Sequence, residues 1–231
     1  MRVMILAAGR GERLRPLTDT VPKAMVEVGG KPLIAWHLER LAAAGYGEAV
    51  INVSHLADRI VEGLGNGERY GVRISYSRER EPLETAGGIA KARALLGEAP
   101  FLLVNADIYC EFDFASLRRV SLGARLAHLV LVPNPPHRSR GDFTLEDGAV
   151  GDGAAPRYTY AGIAVMSPAM VAGVAPEQKA SLAPLLYAAT ARRLVSGELY
   201  RGMWQDVGTR ERLAELEAHL ASPGTARGTE R

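Results

Sequence analysis

The chain has 231 residues, 47% of them hydrophobic and 23% charged, a globular composition that excludes disorder, a collagen-like repeat and a disulfide-built scaffold. A formal charge of +2 is too even to argue for a nucleic-acid or membrane partner, and the apolar runs stop short of the roughly 20 residues that a bilayer needs. The single cysteine, Cys110, allows no internal disulfide; together with a first apolar run too short for a secretion signal, it gives the expectation of a soluble, cytoplasmic protein.

The first half alternates two periodicities. Val3–Ala8, Ala49–Val53, Val72–Ser77 and Phe101–Asn105 are short apolar runs of strand type. Between them Pro32–Ala44, Leu56–Leu64 and Ala86–Leu96 carry helical patterns; in the first, Ile34, Leu38 and Leu41 recur at helical spacing behind a proline suited to a helix start. Strand–helix alternation predicts an α/β fold with a mostly parallel sheet covered on both faces. The second half is less regular. Leu126–Val132 and Tyr158–Met166 read as strands, Gly141–Gly153 as a loop or short hairpin, and Leu182–Leu194 and Arg210–Leu220 as helices. No repeat or linker divides the chain, so a single domain over residues 1–220 is expected, with 221–231 a frayed tail.

Directly after the first strand comes Gly9-Arg10-Gly11-Glu12-Arg13-Leu14-Arg15-Pro16. A pair of glycines there lets backbone N–H groups approach phosphate oxygens with no Cβ in the way. A dinucleotide fingerprint would need glycine where Leu14 stands, and a P-loop would need Ser or Thr after Gly30-Lys31, where Pro32 stands. Pro16 and Pro22 are expected to keep the following chain extended and irregular. Arg13 and Lys23 bracket that segment, and cations on a long loop beside a glycine pair suit a triphosphate. Only four basic residues are lysines, Lys23, Lys31, Lys91 and Lys179, which draws further attention to Lys23.

Two aspartates stand at telling positions. Asp107 follows the apolar strand Phe101–Asn105, where open α/β sheets bind ligands, and Asp206 lies in Trp204-Gln205-Asp206-Val207-Gly208-Thr209 just before the last helix. Either one suits Mg²⁺, which takes one or two protein carboxylates, and either one equally suits a helix-entry turn, with Thr209 as the N-cap of the last helix. Thr85 reads likewise as the N-cap of the third helix, and Cys110 as a small buried hydrophobe.

The stretch from Leu6 through Arg13 to Pro22-Lys23, with Asn105-Ala106-Asp107 and Trp204-Gln205-Asp206-Val207-Gly208-Thr209, resembles the signature segments of the sugar-1-phosphate nucleotidyltransferases. The resemblance implies a Rossmann-like, three-layer fold of glycosyltransferase-A type with a mostly parallel mixed sheet, and transfer of a nucleotidyl group with Mg²⁺. It implies catalytic roles for Arg13, Lys23 and Asp107, and a metal held by Asp107 and Asp206. Nucleotide contacts are implied at Leu6, Ala8, Gly9, Gly11, Arg13, Lys23, Glu81, Gly87 and Asn105. Further segments, Glu81–Gly88, Asn134–Phe143, Tyr158–Ile163, Leu182–Leu185 and Gly197–Gly202, are similar to the branch that uses UTP and N-acetylmuramate 1-phosphate in cell-wall recycling. That likeness puts Gly141, Asp142 and Gly162 at the sugar. Two departures stand out. No lysine lies between Lys91 and Lys179, so the Glu-Lys pair that grips the sugar phosphate in glucose-1-phosphate enzymes is missing, or replaced by an arginine such as Arg157. The lysine that often precedes Leu-Ala-Pro in the muramate branch is here Ser181, with Lys179 two residues earlier. The competing readings are a mannose- or heptose-1-phosphate guanylyltransferase and, in another class, a nucleotide-binding regulatory domain without turnover.

Overall fold

The computed structural model describes residues 1–154 and 156–222. The chain opens with β1 (Val3–Leu6), the short helix α1 (Leu17–Thr20), and the brief strands β2 (Glu27–Val28) and β3 (Lys31–Pro32). Then α2 (Leu33–Ala43), β4 (Glu48–Val53), α3 (Ala57–Leu64), β5 (Arg73–Arg78), α4 (Glu84–Leu96) and β6 (Phe101–Asn105) complete the alternating half. The second half runs β7 (Ile108–Cys110), α5 (Phe114–Leu117), β8 (Ala127–Val132), β9 (Phe143–Glu146), β10 (Ala149–Gly151) and β11 (Arg157–Met166). It closes with α6 (Ala183–Ala191), β12 (Val195–Leu199), β13 (Trp204–Asp206) and α7 (Arg210–Ala221).

Among the described residues one nine-stranded sheet has the order β5-β4-β1-β6-β11-β8-β12-β10-β9. The first four strands are mutually parallel, and β11 runs antiparallel between β6 and β8. The sheet thus takes strands from both halves of the sequence without a break. Because successive side chains on a strand point to opposite faces, β1 and β6 feed two cores. Val3, Ile5, Leu102 and Val104 pack with Ile34, Leu38 and Leu41 of α2 and Ile60 of α3. Met4, Phe101 and Leu103 pack on the other face with Ile89 and Ala90 of α4 and Leu186 of α6. The expected three-layer α/β fold is what the chain adopts. A third, smaller cluster joins Val28 and Leu33 to Tyr109, Val207 and Leu216, and so fixes α7 to the β2–β3 hairpin.

Three details differ from the sequence reading. The segment after the glycine loop is not extended: it coils into single turns at Glu12–Leu14, α1 and Lys23–Met25. Pro16 and Pro22 sit just ahead of two of those turns, positions where a fixed φ starts a helical turn rather than opposing it. Helix α6 stops at Ala191, three residues early, because Arg193 turns left-handed (φ 58°) and the chain enters β12, which pairs parallel with β8. Thr85 is not an N-cap, since α4 already begins at Glu84. The amides of Ala86 and Gly87 instead donate to the Ala180 carbonyl at 2.9 and 3.1 Å, a cap supplied from nearly a hundred residues away. Thr209 does cap α7, its hydroxyl accepting from the Arg212 amide, and Cys110 is buried as expected, its thiol pushed up to about 11 by that burial. The expected tail beyond Ala221 falls, from residue 223 on, outside the described residues.

His37 on α2 illustrates how tightly the layers close. It is 1% exposed, and its Nε2 meets the Ile108 carbonyl of β7 at 2.7 Å, a contact that requires the proton on Nε2. Its Nδ1 has no hydrogen-bond partner among the described residues, so protonation would bury an unpaired N–H. Burial is the main cause that pushes the imidazole down to about 4, with the charge of Arg40 acting in the same direction. The unfolded chain then binds this proton more tightly than the folded one. Stability is held above pH 6.5 and should fall by roughly 3 kcal/mol as the pH drops to about 4. Urea unfolding of the wild type and His37→Gln at pH 7 and pH 4.5 tests this: the glutamine variant should lose clearly less stability between the two.

Candidate active site

Leu6 at the end of β1 pairs in register with Asn52 on β4 and with Asn105 on β6, so three parallel strands finish at one level. A cleft of about 890 Å³ opens beyond those ends, where open α/β sheets take their ligands. One wall is the loop from Ala7 to Arg13; the other is Glu81, Pro82, Glu84 and Thr85, with Lys179 at the rim. Asn52, Asn105 and Asp107 line it between the walls, and Lys23 and Gly208 line it as well.

The glycine loop is held by its own bonds. Gly11 has φ +66°, and its carbonyl accepts from the Leu14 amide at 2.9 Å and from the Thr18 hydroxyl at 2.8 Å. A Cβ there would stand 2.9 Å from Cγ2 of Thr18 and 3.1 Å from Cβ of Lys23. Around Gly9 no protein atom would meet a Cβ within 4 Å, so the room that a side chain would take belongs to the cleft. Lys23 is nearly covered along its stem, and its ammonium donates to Oδ2 of Asp107 at 2.5 Å.

Asp107 sits in the turn after β6, and its carbonyl accepts from the Val207 amide at 2.8 Å. Strand β13 runs antiparallel to β7 with Asp206 opposite Ile108, so the two aspartates, about a hundred residues apart in sequence, become backbone neighbours. Their carboxylates have different surroundings. That of Asp107 faces the cleft, 39% exposed; that of Asp206 is buried, with both oxygens 2.7 Å from Nη1 of Arg212 and Oδ1 3.0 Å from Nε2 of His137. Among the described residues no group of three or more His, Cys, Asp or Glu converges as a metal cluster. Two carboxylates at adjoining backbone positions are of the kind and number that Mg²⁺ takes from a protein, and of the two only Asp107 lines the cleft, Asp206 being held by Arg212.

Leu6, Ala8, Gly9, Gly11, Arg13, Lys23, Glu81, Asn105 and Asp107 all line the cleft. Gly87 does not: it is buried in α4, its amide is engaged by Ala180, and a Cβ would stand 2.3 Å from the Gln178 carbonyl. Its lack of a side chain serves the docking of the 178–180 segment. Gly141 and Asp142 also have structural partners. A Cβ on Gly141 would meet the backbone of Arg157 and Tyr158 within 2.8–2.9 Å, and Oδ2 of Asp142 accepts from the Tyr160 amide at 2.8 Å. Both brace β11 beside its bulge between Tyr160 and Ile163. Gly162, in that bulge with φ +77°, lies directly behind Asn105, whose side chain a Cβ would meet at 2.7–3.0 Å. Arg157 is bound to Asp152 at 2.7 Å and to the Asp142 carbonyl. Lys179, the lysine two residues ahead of Ser181, lines the cleft, and so does Asn52, which the sequence reading passed over. Asn52 left a trace there, as the one polar residue inside the apolar run Ala49–Val53.

The Nucleotidyl transferase family profile matches residues 2–141, and the chain belongs to that family. Over 229 residues it is 48% identical to the N-acetylmuramate alpha-1-phosphate uridylyltransferase of Neisseria meningitidis serogroup B, covering 94% of this chain and 97% of the relative. The enzyme of that name from Caulobacter vibrioides is 37% identical over 94% of this chain and 96% of its own. A mannose-1-phosphate guanyltransferase of Schizosaccharomyces pombe is 47% identical over 51% of this chain and 33% of its own length. Among solved structures, HddC from Yersinia pseudotuberculosis, complexed with GMP-PN, superposes with a TM-score of 0.76 at 22% identity over 94% of this chain and 98% of its own. That likeness speaks to the fold.

Replacing Gly11 would force a left-handed residue with a side chain against Thr18 and Lys23. Gly11→Ala should lose about 1–2 kcal/mol of stability from the backbone alone. It should also weaken nucleoside triphosphate binding, seen as a smaller ligand-induced rise in Tm than in the wild type.

Proposed function

We propose that the chain transfers the uridylyl group of UTP to N-acetylmuramic acid 1-phosphate, forming UDP-N-acetylmuramic acid and pyrophosphate, as a step of peptidoglycan recycling in the cytoplasm. The observation that carries this reading is the extent of likeness. The Neisseria relative is 48% identical in an alignment that covers 94% of this chain and so runs through its second half. The S. pombe guanyltransferase reaches a similar level over 120 residues only, and a guanyltransferase of Aspergillus oryzae extends over 90% of this chain but at 33% identity and 61% of its own length.

The geometry supports the chemistry. A phosphate monoester is already a competent nucleophile at neutral pH, so no general base is needed. An oxygen of the sugar phosphate attacks the α-phosphorus; the bond from that phosphorus to the bridging oxygen breaks, and pyrophosphate leaves with the electron pair. Catalysis then reduces to holding the two substrates in line and offsetting their charges. Lys23 stabilises charge growing on the α-phosphoryl group. Arg13 and the amides around Gly9 and Gly11 hold the departing pyrophosphate, with Gly11 kept in place by Thr18 and Leu14. Asp107 and Asp206 would hold Mg²⁺, which supplies charge neutralisation between the phosphates when bound. Glu81 and its neighbours form the wall for the base, and the sugar extends past Asn105 toward the β11 bulge that carries Gly162 and that Gly141 and Asp142 brace.

Pyrophosphate release measured with Mg²⁺ over UTP, GTP, dTTP and CTP, each against several sugar 1-phosphates, tests the reading. Release with UTP and N-acetylmuramic acid 1-phosphate alone is the expected result. Release with GTP and a mannose or heptose phosphate would keep the mechanism and replace the substrates. Nucleotide binding without turnover in any combination would leave a binding domain. Lys23→Ala should lower kcat by about 10²–10³ while the protein stays folded, and a loss below tenfold would remove Lys23 from its role.

A further inference from the structure

The two walls of the cleft are joined beneath its surface by a chain of hydrogen bonds that ends on a buried carboxylate. Asn52 lies in β4 between β1 and β5, and its Oδ1 accepts from the amide of Ala7, the first residue of the phosphate-side loop, at 2.9 Å. That donor fixes the orientation of the amide, so Nδ2 of Asn52 points the other way and donates to Oε1 of Glu79 at 2.7 Å. Oε2 of Glu79 accepts from the amide of Leu83 at 2.9 Å, within the Glu81–Thr85 wall. The backbone of Glu79 is tied in turn to β4, its amide donating to the Val53 carbonyl at 2.8 Å. Glu79 is 5% exposed, although Arg78 and Glu81 on either side of this short stretch face solvent.

We propose that Glu79 is a positioning residue for the nucleotide: acting through Asn52, it sets the separation between the phosphate loop and the base-side wall. Each of its oxygens accepts from a donor on a different element, and only an ionised carboxylate offers two acceptors with no donor of its own. The packing of α4 is arranged around this group. A Cβ at Gly88 would stand 2.7 Å from Nδ2 of Asn52 and 2.8 Å from Oε1 of Glu79, so the helix can close over the pair only with glycine at that position. A carboxylate this covered costs free energy that a surface residue would not, and burial accordingly raises its pKa. A residue serving only to fill the core would not need to be charged.

The inference rests on the reading of the cleft as a nucleotide site, and its test is a binding measurement independent of turnover. Glu79→Gln keeps the shape and presents an amide N–H₂ to one of the two donors, so either the Asn52 or the Leu83 contact is lost. UTP affinity, measured by calorimetry, should fall about tenfold, in keeping with one buried donor left unpaired. The affinity for the sugar 1-phosphate should stay within twofold of wild type, because the contacts of Glu79 lie on the nucleotide side. Hydrogen exchange should quicken at the amides of Ala7 and Leu83 while the amides of β6 and β11 remain protected. UTP affinity within twofold of wild type in folded Glu79→Gln overturns the proposal, and so does an equal loss for both substrates. If the glutamine variant does not fold, Glu79→Asp is read against the same limits, since its shorter side chain cannot span both donors. A wild-type protein that binds UTP without transferring it would refute the proposed reaction and leave this test unaffected.

Discussion

The register of β1, β4 and β6 is the constraint from which the rest follows. Side chains alternate along a strand, so once Val3, Ile5 and Met4 have been assigned to opposite cores, the level at which the strand ends is fixed as well. Leu6, Asn52 and Asn105 come out side by side at the carboxyl edge, and the two asparagines are the first polar groups the sheet presents. Loops that leave this edge are therefore held close together at their starting points, however far they wander afterward. The glycine loop leaves from β1 and Asp107 follows β6, which is why residues 84 positions apart in sequence meet as Lys23 and Asp107.

The second half of the chain completes what the parallel strands begin. Strand β11 inserts antiparallel beside β6, and its bulge turns Gly162 toward Asn105 at the cleft edge. Trp204 braces the same bulge, donating from Nε1 to the Ala161 carbonyl at 2.9 Å, and so ties β13 to it. Through β13 the bulge, Asp206 and the start of α7 form one connected body, and β7 joins that body to Asp107. Glycines at 141 and 162 serve this construction first. Space that resembles room for a substrate is, at Gly141, space for another strand's backbone.

How much of this was legible in the sequence depended on whether the cause was local. Strands β1, β4 and β6 announce themselves because they are buried on both faces, and the glycine loop and Asp107 stand at the ends of β1 and β6. Strand β12 does not, since Ser196, Gly197 and Glu198 break its apolar pattern. Its Gly197 is there because a Cβ would stand 2.7 Å from the Leu129 carbonyl, a contact made by tertiary structure. The start of α4 misled for the same reason: Thr85 has the chemistry of a cap, but the Ala180 carbonyl already takes the amides it would have served. The Asn52–Glu79 pair left only the trace of one polar residue in an apolar strand, because a hydrogen bond between distant elements has no sequence period.

The charges of the site are balanced before any ligand arrives, and that balance bears on how a polyanion could be received. Lys23 has its stem covered and its ammonium on Asp107; Asp206 is buried against Arg212. Removing one partner of the buried Asp206–Arg212 pair would leave an uncompensated buried charge, so the fold needs that pair. The Lys23–Asp107 pair opens on the cleft through its aspartate and is of the kind that can exchange partners. On the proposed reading Lys23 trades a carboxylate for a phosphate oxygen, and Asp107 is then free for a cation. A triphosphate meets Arg10, Arg13, Lys23 and Lys179 in the cleft together with Asp107, Glu12, Glu81 and Glu84, so a polyanion enters a lining balanced in sign. A cation without its triphosphate would compete with Lys23 for the same carboxylate. The arrangement therefore favours the two arriving as one complex, with the cleft changing partners rather than net charge.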